Sequence, residues 1–302
     1  MFPIIPANTA TASFPENDEG IFGYGYNSSA EPVAMSNLVS NTGVVASDVA
    51  GVGTVRYDLA ACEYGGDKGI FGYGCCDPFS MTNLVSNAGV ISSDVAGVGT
   101  ARHMLAACGY GEDKGIFGYG HDGNSNVSTT NLVSNAGVVS SDVVGVGTAR
   151  RGLKACEYGG DKGIFGYGYT DTHVSMSNLV SNAGVVASDV AGVGTDRLGG
   201  SACGYGGDKG IFGYGHDGSS VVSMTNLVSN AGVVASDVAG VGTDRNYPAA
   251  CEYGGDKGIF GYGNSISSKV SITNLVSNAG VVSSDVAGVG TVRRSPAACS
   301  FN

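Results

Sequence analysis

The chain has 302 residues, a net charge of −11 and only 14% charged residues, a balance that opposes nonspecific attraction to nucleic acid or to an anionic membrane. No apolar run approaches the roughly 20 residues that cross a bilayer, so no membrane span is expected. Apolar residues at 42% suffice for a core, and 52 glycines against 7 prolines point to many tight turns rather than to disorder.

In chain order, residues 1–19 (MFPIIPANTATASFPENDE) read as an irregular N-terminal arm without the basic region of a secretory signal. The arm is a candidate assembly contact: it docks on the rest of the chain, exchanges with a neighbour, or anchors the protein in a larger structure. From Gly20 the sequence repeats itself. GIFGYG begins at Gly20, Gly69, Gly115, Gly163, Gly210 and Gly258, defining six units of about 48 residues. Each unit continues through a variable stretch, NLVSN(A/T)GV, SDV(A/V)GVGT, an arginine, and a short apolar segment that ends in cysteine.

Four strands are predicted per unit, exemplified by LAACEY, KGIFGYG, SMTNLVS and GVVASDVAG, separated by GGD, the variable stretch, NAG and GVGT. Glycine and β-branched residues recur too often for a helix, whereas Val, Ile, Phe, Tyr and Thr suit a pleated surface. The glycine of NAG sits where a three-residue hairpin needs a left-handed residue. A single four-stranded sheet is too small to hold itself, and the apolar residues do not alternate cleanly, so both faces of each unit must be covered by neighbours.

These features predict an all-β fold, a six-bladed β-propeller of four antiparallel strands per blade over residues 20–302. The first unit opens without an inner strand and the last segment, SPAACSFN, is an inner strand without a partner. Pairing 295–302 with 20–25 closes the ring and removes two open sheet edges. The small residues of LAAC fit the crowding near an axis. A solenoid is the alternative, but it has no use for a split unit and wants polar caps.

Six of the 8 cysteines (Cys62, Cys108, Cys156, Cys203, Cys251, Cys299) share one phase of the repeat, which holds them apart; they read as small buried thiols. Cys75 and Cys76 break the phase and read as an exposed pair or a chance loop substitution. This usage favours synthesis in a reducing cytoplasm, with incorporation into a virion or surface structure left open.

The run Arg56-x-x-Leu59-Ala60-Ala61-Cys62-x-x-Gly65-x-x-x-x-Ile70-Phe71-Gly72-Tyr73-Gly74 resembles the kelch-type β-propeller repeat, and the likeness extends over residues 20–302. It departs from that pattern in closing on GYG and in lacking tryptophan. The resemblance implies a propeller and, for most of that family, protein binding. A few kelch propellers are enzyme domains such as copper radical oxidases, but no His and Tyr ligand set carries over here. Near-identical units also bring a loose likeness to propellers on viral surfaces.

Strand direction sorts the loops onto two ends. GGDK and SNAG, nearly invariant, lie at one; the other gathers the variable stretches (YNSSAEPVA, CCDPF, HDGNSN, YTDTH, HDGSSV, NSISSK) and the residues that follow each arginine. Loops that vary on a fixed scaffold suit a partner-binding face, with drift of uncontacted loops as the bland reading. The candidate partner-binding residues are Arg56, Arg102, Arg150, Arg197, Arg245 and Arg293, with Tyr57, His103, Arg151, Tyr247, His121, Tyr169 and His216. The arginines occur once per unit and suit an acidic peptide, a carboxylate or a sulfate. Asp48, Asp94, Asp142, Asp189, Asp237 and Asp285 also occur once per unit, and a structural Arg–Asp pair is the simpler account.

No metal-ligand spacing recurs among the 4 histidines. The Asp-Gly of HDG reads as a turn, and GIFGYG, a strand with no helix after it, has no phosphate cradle. The expected function is therefore non-enzymatic: an interaction or structural propeller binding a protein through its variable end, without cofactor, metal or nucleic acid. The alternative is a carbohydrate-binding propeller with one weak site per blade.

Overall fold

The computed structural model describes residues 18–75 and 77–301. Among them there is no helix; the strands form six antiparallel sheets. In the second sheet Ala60–Tyr64 pairs with Lys68–Gly72, which pairs with Thr82–Val85. The third to sixth sheets repeat this order from Ala106–Tyr110, Lys154–Tyr158, Ser201–Tyr205 and Ala249–Tyr253. The first sheet joins both ends of the chain. Glu19–Asn27 pairs with Pro32–Val39 on one side, and with Ala297–Phe301 and Arg293–Arg294 on the other. Ile21 faces Cys299 there as Ile70 faces Cys62 in the second sheet.

The second to sixth sheets hold three strands where four were expected, and the fourth strand of the first sheet is only the two-residue Arg293–Arg294. The GVVASDVAG-type segment meets the outer strand through isolated bridges, Ile91 opposite Val85 and Val95 opposite Thr82. Three steps on one side match four on the other, which is a bulge. Its cause is the buried Asn83, whose side-chain amide donates to the Ser92 carbonyl at 3.0 Å and to Asp94 at 2.9 Å, drawing the segment inward between the two bridges. The middle strand also stops earlier than KGIFGYG suggests, because the tyrosine of each GYG is left-handed (φ 65° at Tyr73). In the first and fifth sheets the ladder resumes beyond that residue, after register shifts at Gly23/Gly25 and Gly213/Gly215.

The core lies between sheets rather than within them. One apolar cluster joins Cys62, Ile70 and Tyr73 to Leu105 and Phe117 of the next sheet; another joins Phe22 and Val39 to Cys251 and Ile259 of the sixth. Glycine makes the interlock possible. A Cβ on Gly69 would lie 2.4 Å from the Cys299 sulfur, and one on Gly72 would lie 2.7 Å from the Phe117 ring. Each sheet thus receives a thiol from one neighbour and a phenyl ring from the other.

The inner strands touch in cyclic order, Ala60–Tyr64 against Ala106–Tyr110 and onward until Ala297–Phe301 meets Ala60–Tyr64. They line a central cavity of about 50 Å³. At one end of it Asp58, Met104, Gly152, Gly199, Tyr247 and Ser295 are all left-handed, with φ between 52° and 66°. Their main chains form a cycle. Met104 donates its N–H to the Asp58 carbonyl, Gly152 to Met104, Gly199 to Gly152, Tyr247 to Gly199 and Ser295 to Tyr247, and Asp58 donates back to Ser295.

Candidate functional site

The six arginines ahead of the inner strands are 0–2% exposed. Arg150 makes the fullest set of bonds: Nη2 donates to Asn178 at 2.7 Å, Nη1 to the Thr148 carbonyl at 3.1 Å, and Nε to the Tyr167 carbonyl at 2.9 Å, whereas Nε of Arg56, Arg102, Arg245 and Arg293 is buried without a hydrogen-bond partner. Asp189 lies 3.9 Å away, and the guanidinium sits 4.5 Å above the ring of Tyr119, a residue of the preceding sheet. Every copy repeats the stack, from Arg56 on Tyr24 to Arg293 on Tyr262. That contact offsets a left-handed tyrosine, a conformation costing about 1–2 kcal/mol. Burial pushes the Tyr24 phenol up to about 12 despite the neighbouring Arg56.

The Asp member ties neighbouring sheets. Thr54 donates both its N–H and its hydroxyl to Asp94, and Asn83 donates to the same carboxylate. Burial raises the Asp94 pKa, but these hydrogen bonds and Arg56 outweigh it and leave the carboxyl below its ordinary value. Arg56, Arg102, Arg150, Arg197, Arg245 and Arg293, expected at a partner-binding face, are instead buried, each with its guanidinium over a tyrosine ring.

The other candidates lie at the opposite extreme of the network, where the two variable stretches of a unit are bridged. Tyr57 pairs with Cys75, His103 with His121, Arg151 with Tyr169, Leu198 with His216 and Asn246 with Asn264. The invariant turns gather at the other end, where Asn135 donates to Asp113 at 3.0 Å and Lys114 pairs with that same Asp113. Cys75 is half-buried, and Cys76 lies outside the described residues, as does nearly all of the proposed N-terminal arm.

The variable end carries rings and cations in contact. Tyr26 and Tyr57 lie 4.9 Å apart, with Arg294 5.3 Å from the Tyr26 ring and 5.8 Å from that of Tyr247. Arg151 is 5.0 Å from the Tyr169 ring. His103 and His121 meet edge to face at 5.4 Å, and His173 stacks on His216 at 5.8 Å across two sheets. Burial pushes His103 and His173 below the ordinary histidine value. His121 and His216 each accept an N–H from the glycine of their HDG turn through Nδ1, so these two build turns.

Among the described residues no group of three or more His, Cys, Asp or Glu is arranged to hold a metal ion. Tyr26, Arg294 and His173 are not among the candidate partner-binding residues, although all three lie in the variable stretches. Lys154 was overlooked too, although its signal is plain: GLKAC stands where the other units read LAAC, GSAC or PAAC.

Glu63, Glu157 and Glu252 line the far part of the central cavity with Gly109 and Gly204 between them, and the Ser300 hydroxyl bonds to the Glu252 main chain. A Cβ on Gly109 would lie 1.5 Å from the Glu157 carboxylate. Burial, then the other carboxyls, pushes Glu252 up to about 8 and Glu157 well above its ordinary value. A scan of the chain against family models gives no match, and no curated protein matches it either.

Proposed function

We propose that the six sheets form a closed six-bladed β-propeller of kelch-like pattern, and that it is a non-enzymatic module which binds a protein through its variable end. The cyclic contacts of the inner strands and the hydrogen-bond cycle at the cavity mouth support the closed ring.

One observation carries the binding reading. Outside the arginine network, the buried side-chain atoms without a hydrogen-bond partner, among the described residues, are His103 Nδ1, His173 Nε2 and Asn246 Oδ1. All three belong to the variable end. Buried polar groups are normally satisfied, so unmet ones gathered beneath one end of the molecule suit a place where binding rearranges side chains and completes them. The half-buried tyrosines and arginines around them are the residue types that dominate protein interfaces.

The test is capture with the immobilised full chain, run beside a glycan array. A Tyr57→Ala, Arg151→Ala, Tyr169→Ala variant should lose the captured protein at unchanged melting temperature, while Lys68→Ala, Lys162→Ala at the invariant end should keep it. The reverse pattern would sink the proposal, and a glycan signal with no protein capture would replace it by the carbohydrate-binding reading.

A further inference from the structure

The basic residues sort into three groups. Six arginines are enclosed in the network above, and Lys68, Lys114, Lys162, Lys209 and Lys257 each pair with the aspartate before them. The remainder, Lys154, Arg151, Arg294 and Lys269, all lie at the variable end or the cavity mouth. In a protein of net charge −11, the cations with no carboxylate partner among the described residues thus gather at one end, where Arg151 also donates to Asn126 at 3.3 Å.

Lys154 is the innermost of them. It occupies the position held by Ala60, Ala106, Ser201, Ala249 and Ala297 in the other inner strands, and it lines both the cavity of about 50 Å³ and its mouth. Its main chain pairs with Gly166 in the ladder, and among the described residues its amine makes no hydrogen bond and no ion pair. Burial pushes its amine below the ordinary lysine value, with only Asp58 opposing. Asp58, Tyr247 and Ser295 share the mouth with it. Arg294 comes within 5.8 Å of the Tyr247 ring, and Arg151 directly precedes Gly152 of the mouth. Lys154 is half-buried on the cavity wall and Asp58 is the acidic residue that shares the mouth with it; an anion that enters the cavity meets a charged donor with hydrogen bonds to give.

We propose that the mouth of the central cavity is a carboxylate-binding site in which Lys154 Nζ pairs with the anion and Arg151 and Arg294 attract it from the rim. A cavity of this volume takes a few water-sized groups, which is room for a carboxylate head and not for a sugar ring or a nucleotide. The site is single and axial, because the other five inner strands offer only methyl or hydroxyl groups at this level. The carboxylate is either a free small acid or the C-terminus of a peptide threaded along the axis, and the same amine serves both.

The experiment is a calorimetric titration of the full chain with acetate, and with a short glycine-rich peptide bearing either a free C-terminal carboxylate or the corresponding amide. Lys154→Ala restores the residue found in four of the other inner strands, so it folds, and it should weaken carboxylate binding at least about tenfold, the size of one charge-assisted hydrogen bond. Asp58→Asn should tighten it. Acetate and free-carboxylate peptide binding alike identify a small-acid site; peptide binding without acetate binding identifies a peptide terminus. No saturable binding of either, or binding that Lys154→Ala leaves unchanged, overturns the assignment. Failure of protein capture at the variable end would leave this titration unaffected, because it uses no protein partner.

Discussion

Thr291 donates its hydroxyl to the Asp48 carboxylate at 2.7 Å across 243 positions of sequence, the same bond that Thr100 makes to Asp142 across 42. If the ring is closed, the two bonds are worth the same. Asp48→Ala and Asp142→Ala are each expected to lower the unfolding free energy by about 2 kcal/mol, the cost of removing hydrogen bonds to a charged group. Urea denaturation measures both. An Asp48→Ala variant as stable as the parent, beside a weakened Asp142→Ala, would show open ends.

The buried arginine should not tolerate lysine. Arg150→Lys loses the fork that reaches Asn178 and two carbonyls, along with the planar stack on Tyr119. The expected loss is about 3 kcal/mol, the range for breaking a buried charged network. Protein capture, corrected for the folded fraction, should stay at the parental level; a loss beyond that fraction would give the arginine a direct part in binding.

Stability should depend on pH in two opposed ways. Asp48, Asp94, Asp142, Asp189, Asp237 and Asp285 have pKa values below the ordinary one, so their contribution is present above about pH 4 and is lost as the pH falls through their folded-state values. Glu252, at about 8, works the other way: its contribution is complete below the ordinary glutamate value and is lost as the pH rises towards 8. The melting temperature should therefore peak on the acid side of neutral and decline into mild alkali. Glu252→Gln should flatten the alkaline decline. A parent melting temperature that is level from pH 5 to 9 would contradict the buried carboxyl ring.

The thiol interlock predicts a coupling. Gly69→Ala places a methyl group against the Cys299 sulfur and should cost about 1–3 kcal/mol as overpacking. Cys299→Ala removes the sulfur, and the nearest remaining atom, the Cβ of residue 299, then lies at an ordinary 3.4 Å. The double variant should recover most of the loss in a thermodynamic cycle. Additive penalties would mean that the glycine is required for its backbone alone.

Thiol reactivity should divide the cysteines. The six in the interlock are buried, and burial pushes each thiol up, so a maleimide should reach them only after unfolding. In a Cys76→Ser background, the half-buried Cys75 should label first. Rapid native labelling at Cys62 would show that the cavity wall opens.

Much of the fold was legible because repetition multiplies weak signals. Six copies of GIFGYG gave the unit, and the split first unit gave the pairing of Glu19–Asn27 with Ala297–Phe301. The bulge was not legible, since nothing in NLVS announces that Asn83 turns inward to hold Ser92 and Asp94. The roles of the arginines were only half legible: a once-per-unit Arg and Asp pointed to a pair, but not to the tyrosine of the neighbouring sheet that encloses it. Lys154 and the Glu63, Glu157, Glu252 alternation are departures from the repeat, and an eye trained on what recurs passes over them.

The cycle of main-chain hydrogen bonds at the cavity mouth has a consequence for how this protein can change. Its members are as unlike as Asp58, Met104, Gly199 and Tyr247, yet the backbone follows one course through all of them. The aperture is framed by peptide groups, and the six side chains hung on that frame are free to differ. A lumen can then be rewritten one residue at a time, without retuning the scaffold that holds it open.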